Sequence, residues 1–189
     1  MEIRAFFALT LPEVVVRSLA DHADTLCQYD VNTEVLWVDS DTYHLTLSFL
    51  GDIRLDQVDE LEAITREALK TVSSFQVELN DTLYYSVSDR LSLVAAQPAP
   101  CPPLSQLHDI MVEVGRQVGV EQQDTRYKPH ITLGRLEGRL NQHSFKAPQK
   151  WPELSLLSLA DSVVLFQSKP GQSGSVYTPL FDVPLEDLG

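Results

Sequence analysis

Apolar and polar positions along this chain fall into runs of two kinds, one with the period of a strand and one with that of a helix. Residues 3–9 are short, apolar and aromatic, as a buried strand is. Thr10-Leu11-Pro12-Glu13 follows. Thr10 is a cap candidate, Pro12 suits a first turn, and Glu13 completes a Thr-x-x-Glu capping box. The spacing then predicts a helix to about Cys27, with Val15, Leu19, His22 and Leu26 on its inward stripe. Residues 32–40 read as a connection in which Leu36-Trp37-Val38 forms a short strand or a lining segment. A strand over residues 42–49 is closed by Leu50-Gly51-Asp52. Residues 55–72 return to helical spacing through Leu55, Val58, Leu61, Ile64, Ala68 and Leu69, and Asp56, Asp59, Glu60 and Glu62 suit a solvated face near its start.

Residues 75–79 alternate as a strand, and residues 83–87 and 91–95 predict two more, joined by a turn at Ser88-Asp89-Arg90. Pro98, Pro100, Pro102 and Pro103 break any regular element and mark the best link between halves. Helical spacing resumes over residues 104–118 through Leu107, Ile110, Met111 and Val114, with His108 a structural or exposed member. Pro129 suits the first position of another strand, which Gly134-Arg135 ends. Residues 141–150 are polar and without a period, so His143 has no assigned role. Residues 154–159 and 162–167 read as paired strands, and residues 176–183 as a last strand after a turn at 171–174. This order predicts a mixed α and β domain built from antiparallel hairpins rather than one doubly wound sheet.

Composition adds limits. The chain has 189 residues, 43% of them hydrophobic and 22% charged, enough for one domain or two lobes sharing a core. Its formal charge of −13 argues against a general nucleic-acid coat or a protein for anionic membranes. From Arg126 to Lys150, however, six cations (Arg126, Lys128, Arg135, Arg139, Lys146, Lys150) face one anion, Glu137. Cys27 and Cys101 form no Cys-x-x-Cys pair, so reduced thiols are expected. No apolar run of membrane-spanning length and no signal-peptide pattern is present, and the expected location is cytoplasmic.

That basic locus brackets the candidate chemistry. Tyr43-His44-Leu45-Thr46-Leu47 and Pro129-His130-Ile131-Thr132-Leu133 are one pattern written twice, with the histidines 86 residues apart. On a strand, each copy puts its His and Thr on one face and its apolar pair on the other. One His-x-Thr is an ordinary strand histidine beside a β-favouring threonine. Two copies facing one another supply two imidazoles, one to take a proton and one to give one, and two hydroxyls for phosphate oxygens.

The paired motifs resemble the two-histidine (2H) phosphoesterase superfamily. The flanks are similar to the RNA 2′,3′-cyclic phosphodiesterases, also called 2′-5′ RNA ligases. These flanks are Arg4-Ala5-Phe6-Phe7-Ala8-Leu9, His44-Leu45-Thr46-Leu47-Ser48-Phe49-Leu50-Gly51, Arg126-Tyr127-Lys128-Pro129-His130-Ile131-Thr132-Leu133-Gly134-Arg135, and the tail Leu165-Phe166-Gln167-Ser168 with Gly174, Tyr177 and Leu180. The resemblance implies a single α+β domain over residues 1–189, of two lobes. Two antiparallel sheets, related by a pseudo-twofold, would line a central cleft with helices outside. It implies His44 as proton donor and His130 as proton acceptor, an order the residues themselves leave open. Thr46 and Thr132 would hold phosphate oxygens, with Arg135 a further contact. Two departures are the acidic body and Ser48, which stands where many relatives carry a basic residue. Trp37, Tyr43 and Tyr127 are candidates for stacking on a terminal base, or else wall and core aromatics.

The implied reaction opens a 2′,3′-cyclic phosphate on an RNA end or oligonucleotide to a 2′-phosphate. No metal or cofactor is expected, because neither motif holds a carboxylate and Thr is a poor ligand. A monomer without membrane contact is expected. Three rivals remain: a non-catalytic module for nucleotides or RNA ends, a phosphodiesterase for small cyclic nucleotides, and the reverse 2′-5′ joining reaction.

Overall fold

The computed structural model describes residues 1–121, 126–145, 152–172 and 174–187. Its elements in chain order are β1 (Glu2–Leu9), α1 (Glu13–Cys27), β2 (Leu36–Trp37), β3 (Leu45–Arg54), α2 (Val58–Leu69), β4 (Phe75–Ser88), β5 (Leu91–Pro98), α3 (Pro102–Gln117), β6 (Ile131–Glu137), β7 (Leu156–Ala160), β8 (Ser162–Gly171) and β9 (Gly174–Pro184). They form a four-stranded sheet in the order β3-β1-β8-β9 and a five-stranded sheet in the order β2-β6-β5-β4-β7, with antiparallel pairing throughout. The two orders superpose as motif strand, neighbour, third and fourth strand, with β2 added beyond β6. This is the bilobal α+β arrangement that the family resemblance implied.

The apolar face of each sheet meets helices. Phe7, Leu9, Leu45 and Leu47 from the first sheet, and Val77, Leu79, Val94 and Ala96 from the second, join Leu19, Leu26, Leu61, Leu107 and Met111 in one core. α1 packs near β7 and α3 on β3, while α2 packs on α3 and β9. Each lobe also has a histidine bridging helix to sheet. His22 Nε2 lies 2.9 Å from Thr82 Oγ1 on β4, and His108 Nδ1–H donates to the Leu47 carbonyl on β3 at 2.6 Å.

Several sequence expectations change. Pro12, not Thr10, precedes the first turn of α1, and no side chain caps it. Thr10 stands too far from the helix start for the capping box to form. Residues 55–57 are a single 3₁₀ turn before α2, and β4 is one 14-residue strand where two were expected. β3 continues through Gly51, whose φ of +69° a glycine tolerates without strain, so Leu50-Gly51-Asp52 does not end it. The proline stretch separates no halves, since β5 before it and β6 after it are neighbours in one sheet. β7 and β8, expected to pair, lie in different sheets: β7 pairs with β4, and β8 with β1 and β9. Part of the polar stretch, including Lys146 and Lys150 of the basic locus, lies outside the described residues.

Candidate active site

Both motif strands carry a β-bulge at the residue after the threonine. Phe7 and Ala8 of β1 oppose Ser48 and Thr46, leaving Leu47 unpaired; Val94 and Ala95 of β5 oppose Gly134 and Thr132, leaving Leu133 unpaired. A bulge inserts one residue and reverses the in–out phase beyond it. Leu45 and Leu47 are therefore core residues, and so is Ser48, whereas Phe49 is 67% exposed. In the second strand, the same slip buries Gly134 beside Leu133 and leaves Arg135 half-buried in the wall of the site. Arg135 can share a face with His130 and Thr132 because of the bulge; at strict alternation it would point into the core. Phe49 is its counterpart in the first lobe, so the guanidinium has no twin there.

Each motif histidine immediately precedes its strand and is tethered in the same way. His44 Nδ1–H donates to the Thr42 carbonyl at 2.7 Å, and His130 Nδ1–H to the Lys128 carbonyl at 2.9 Å. A carbonyl only accepts, so each neutral ring is held in the tautomer that leaves Nε2 free of its proton. The Thr46 hydroxyl donates to His44 Nε2 at 3.0 Å. His44 packs against Phe6 and the edge of Tyr177, with ring centroids 5.0 and 5.1 Å away, and His130 against Tyr85 at 6.2 Å. Burial is the main cause that lowers the pKa of both imidazoles below the usual 6.5; the carbonyl tethers oppose it, and the Arg135 charge adds to it. His130 adds a further lowering at His44.

Two cavities flank the motifs. One, of about 290 Å³, is lined by His44, Thr132 and Arg135, with Trp37, Asp41 and Tyr177 among its walls. The other, of about 450 Å³, is lined by Thr46 and His130, with His108, Arg126, Tyr127 and Lys128. Each holds the histidine of one motif and the threonine of the other. They adjoin, since His44 in one is hydrogen-bonded to Thr46 in the other. The Arg135 Nε is buried without a hydrogen-bond partner among the described residues. A buried guanidinium N–H left unpaired is costly, and a bound anion would satisfy it. Among the described residues no group of three or more His, Cys, Asp or Glu side chains gathers where it could hold a metal ion.

The three stacking candidates separate. Trp37 lines the smaller cavity. Tyr43 is 7% exposed and sits in the core, so it offers a base no face. Burial pushes its phenol up to about 12. Tyr127 is stacked on His108, with ring centroids 3.9 Å apart and planes 2° from parallel, and its hydroxyl donates to the Thr46 carbonyl at 2.8 Å. Reasoning from the residues alone missed His108 as a neighbour of the site. It also missed Asp30 and Glu34, which hold the β2 segment. Asp30 accepts from the Glu34 and Val35 amides at 2.9 and 3.0 Å. Glu34 accepts from the Ser144 and Phe145 amides at 3.0 and 2.9 Å and pairs with His143 at 3.0 Å.

A family model described as the 2′-5′ RNA ligase superfamily matches residues 37–168. An RNA 2′,3′-cyclic phosphodiesterase of Methanothermobacter thermautotrophicus is 24% identical over 188 residues, covering 95% of this chain and 97% of that protein. One of Bacillus subtilis is 24% identical over 172 residues, covering 89% of each. The crystal structure of E. coli LigT complexed with 3′-AMP matches the fold with a TM-score of 0.77 at 22% identity, over 98% of this chain and 99% of that one.

Proposed function

Because the chain belongs to the 2′-5′ RNA ligase superfamily, we propose that it is a metal-independent phosphodiesterase that opens terminal RNA 2′,3′-cyclic phosphates to 2′-phosphates. The observation that carries this reading is the matched pair of tethered imidazoles, His44 and His130, each held through Nδ1 with Nε2 left for proton transfer. The names of the relatives support the substrate class.

In this reading His130 Nε2 takes a proton from water as the water oxygen bonds to phosphorus. The P–O3′ bond breaks in line, and His44, protonated at Nε2, gives its proton to the departing O3′. The product keeps its phosphate on O2′. Thr46, Thr132 and Arg135 donate to the non-bridging oxygens, where negative charge builds in the transition state. The bound phosphodiester carries a negative charge that offsets Arg135 and favours the imidazolium that the acid step needs. Turnover leaves His44 neutral and His130 charged, so both exchange protons with solvent before the next cycle.

The test is a short oligonucleotide ending in a 2′,3′-cyclic phosphate, incubated in excess EDTA, with the product isomer identified. Wild type should give a 2′-phosphate, and His44→Ala and His130→Ala should each lose ~10²–10⁴-fold in rate. No turnover by wild type, or activity surviving either substitution, overturns the reading. A second reading, a small cyclic nucleotide as substrate, is favoured by one observation: Asp39 and Asp41 line the cavity beside His44, where further strand phosphates would be repelled. A kcat/KM higher on a cyclic mononucleotide than on the oligonucleotide would favour it.

A further inference from the structure

We propose that His108 and Tyr127 are positioning residues: together they clamp the bulge in β3 and so set where Thr46 and His44 stand relative to His130. The inference rests on the phosphodiesterase reading for its rate assay, and on geometry for its argument. Among the described residues β3 is the edge strand of its sheet, paired only with β1. Neighbouring carbonyls of a regular strand point to opposite edges. Here the carbonyls of Thr46 and Leu47 take their hydrogen bonds from Tyr127 Oη and His108 Nδ1, two rings stacked face to face, so both carbonyls address the same side. The bulge at Leu47 permits this, and the clamp in turn supplies both carbonyls with a donor on that side.

The second lobe has the same bulge and a different solution. There the Leu133 carbonyl accepts the backbone N–H of Val38 at 3.0 Å, beside β2, which covers the outer edge of β6. The pseudo-twofold is broken at this point: backbone caps one bulge and two side chains cap the other. A bulge held by side chains is open to substitution without rebuilding a strand.

Tyr127 also links the lobes. It lies in the segment leading to the second motif, one residue before Lys128, whose carbonyl tethers His130. Its hydroxyl thus spans from the His130 tether to the strand of the other histidine. Burial raises the Tyr127 phenol well above its usual value, so it stays a donor across the working range of pH. His108 donates from Nδ1 whether its ring is neutral or charged.

The experiment compares His108→Ala, His108→Asn and Tyr127→Phe with wild type. Asn keeps an N–H near the position of Nδ1; Phe keeps the ring and its stacking while deleting only the hydroxyl. The readouts are kcat and KM on the cyclic-phosphate oligonucleotide, inorganic phosphate affinity, thermal unfolding, and NMR titration of each imidazole. A displacement of about 1 Å can cost ~10²-fold in rate. His108→Ala and Tyr127→Phe should lose ~10- to 100-fold in kcat with KM little changed. The His44 titration should shift while that of His22, on the other lobe, stays in place. His108→Asn should recover most of the loss. A folded Tyr127→Phe with wild-type kcat and an unmoved His44 titration overturns the proposal, as does a His108→Ala defect that Asn does not relieve. Should wild type leave the cyclic phosphate intact, the proposed reaction fails. The clamp is then judged by phosphate affinity and the His44 titration: a change in His108→Ala and Tyr127→Phe that His108→Asn reverses upholds it, and no change overturns it.

Discussion

Gly134→Ala tests how closely the wall of the site is packed against the second motif. A Cβ at Gly134 would stand 2.5 Å from Val35 Cγ1 and 3.1 Å from Trp37 Cε3. Carbon atoms in contact prefer about 3.5–4.0 Å, so the Val35 contact must open by roughly 1 Å. Val35 has little freedom to turn away: it is buried and β-branched, and its amide is bonded to Asp30. The whole β2 segment must therefore move off β6. Overpacking of this kind costs about 1–3 kcal/mol. For a chain of this length that lowers Tm by about 2–12 °C, at roughly 2–4 °C per kcal/mol. The same movement disturbs the Val38 to Leu133 hydrogen bond that caps the second bulge, and with it Thr132 and Arg135. The expected result is a ~10- to 100-fold lower kcat/KM on the cyclic-phosphate oligonucleotide, the scale of a 1 Å misplacement. Gly119→Ala is the control, since φ there is +88° and, among the described residues, nothing lies within 4 Å of a new Cβ. It should cost stability through backbone strain, about 1–2 kcal/mol, with kcat/KM kept. Wild-type Tm and kcat/KM in Gly134→Ala would refute the reasoning. An equal activity loss in the control would show that activity follows stability, not the place of β2.

Three further expectations concern charge. Burial lowers the pKa of His44 and of His130, so the form with one imidazole protonated and one neutral is most populated below pH 6.5. The kcat/KM profile should be a bell centred on the acid side of 6.5, and the kcat profile should lie at higher pH because the bound anion favours imidazolium; a kcat/KM optimum above that value would contradict the assignment. His22, lowered by burial, joins these two in acid stability. For all three the folded state binds fewer protons than the unfolded state below 6.5, so stability is full above that value and falls as pH drops through the depressed folded pKa values; Tm measured from about pH 7.5 to 5 should fall, and less so in His22→Gln. Arg135→Gln should raise both motif pKa values by removing the charge that lowers them, while slowing turnover by ~10²–10³-fold; unmoved imidazole titrations would separate Arg135 from the histidines.

The four motif residues were legible because strand alternation is local and the pattern occurs twice. The same parity argument, carried one residue back, places Tyr43 with Leu45 and Leu47 in the core, where it is found. Arg135 could not be read this way. It follows Thr132 at an odd spacing, and only the bulge at Leu133 aligns it with the site. That bulge is held by Val38, nearly a hundred residues away in the chain. Phe49 misleads for the same reason, looking like a core residue until the bulge at Leu47 turns it outward. His108 sits on an amphipathic helix with nothing in its neighbours to mark it; its role comes from Leu47 and Tyr127, which are distant in sequence. The partners of β7 and β8 were misjudged because a short connection between two apolar runs resembles a hairpin, and sheet membership is decided by strands elsewhere.

The interleaving of the sheets has a consequence for how the chain can be divided. β1 and β3 share their sheet with β8 and β9, and β2, β4 and β5 share theirs with β6 and β7. A cut among residues 99–101, in the connection before α3, therefore leaves neither fragment with a whole sheet or both histidines. Each fragment alone exposes unpaired edges and half a core. Mixed, they are complementary templates, and the cleft forms only when the two pieces find one another. The molecule is thus suited to fragment reassembly, with catalysis itself reporting that the two pieces have met.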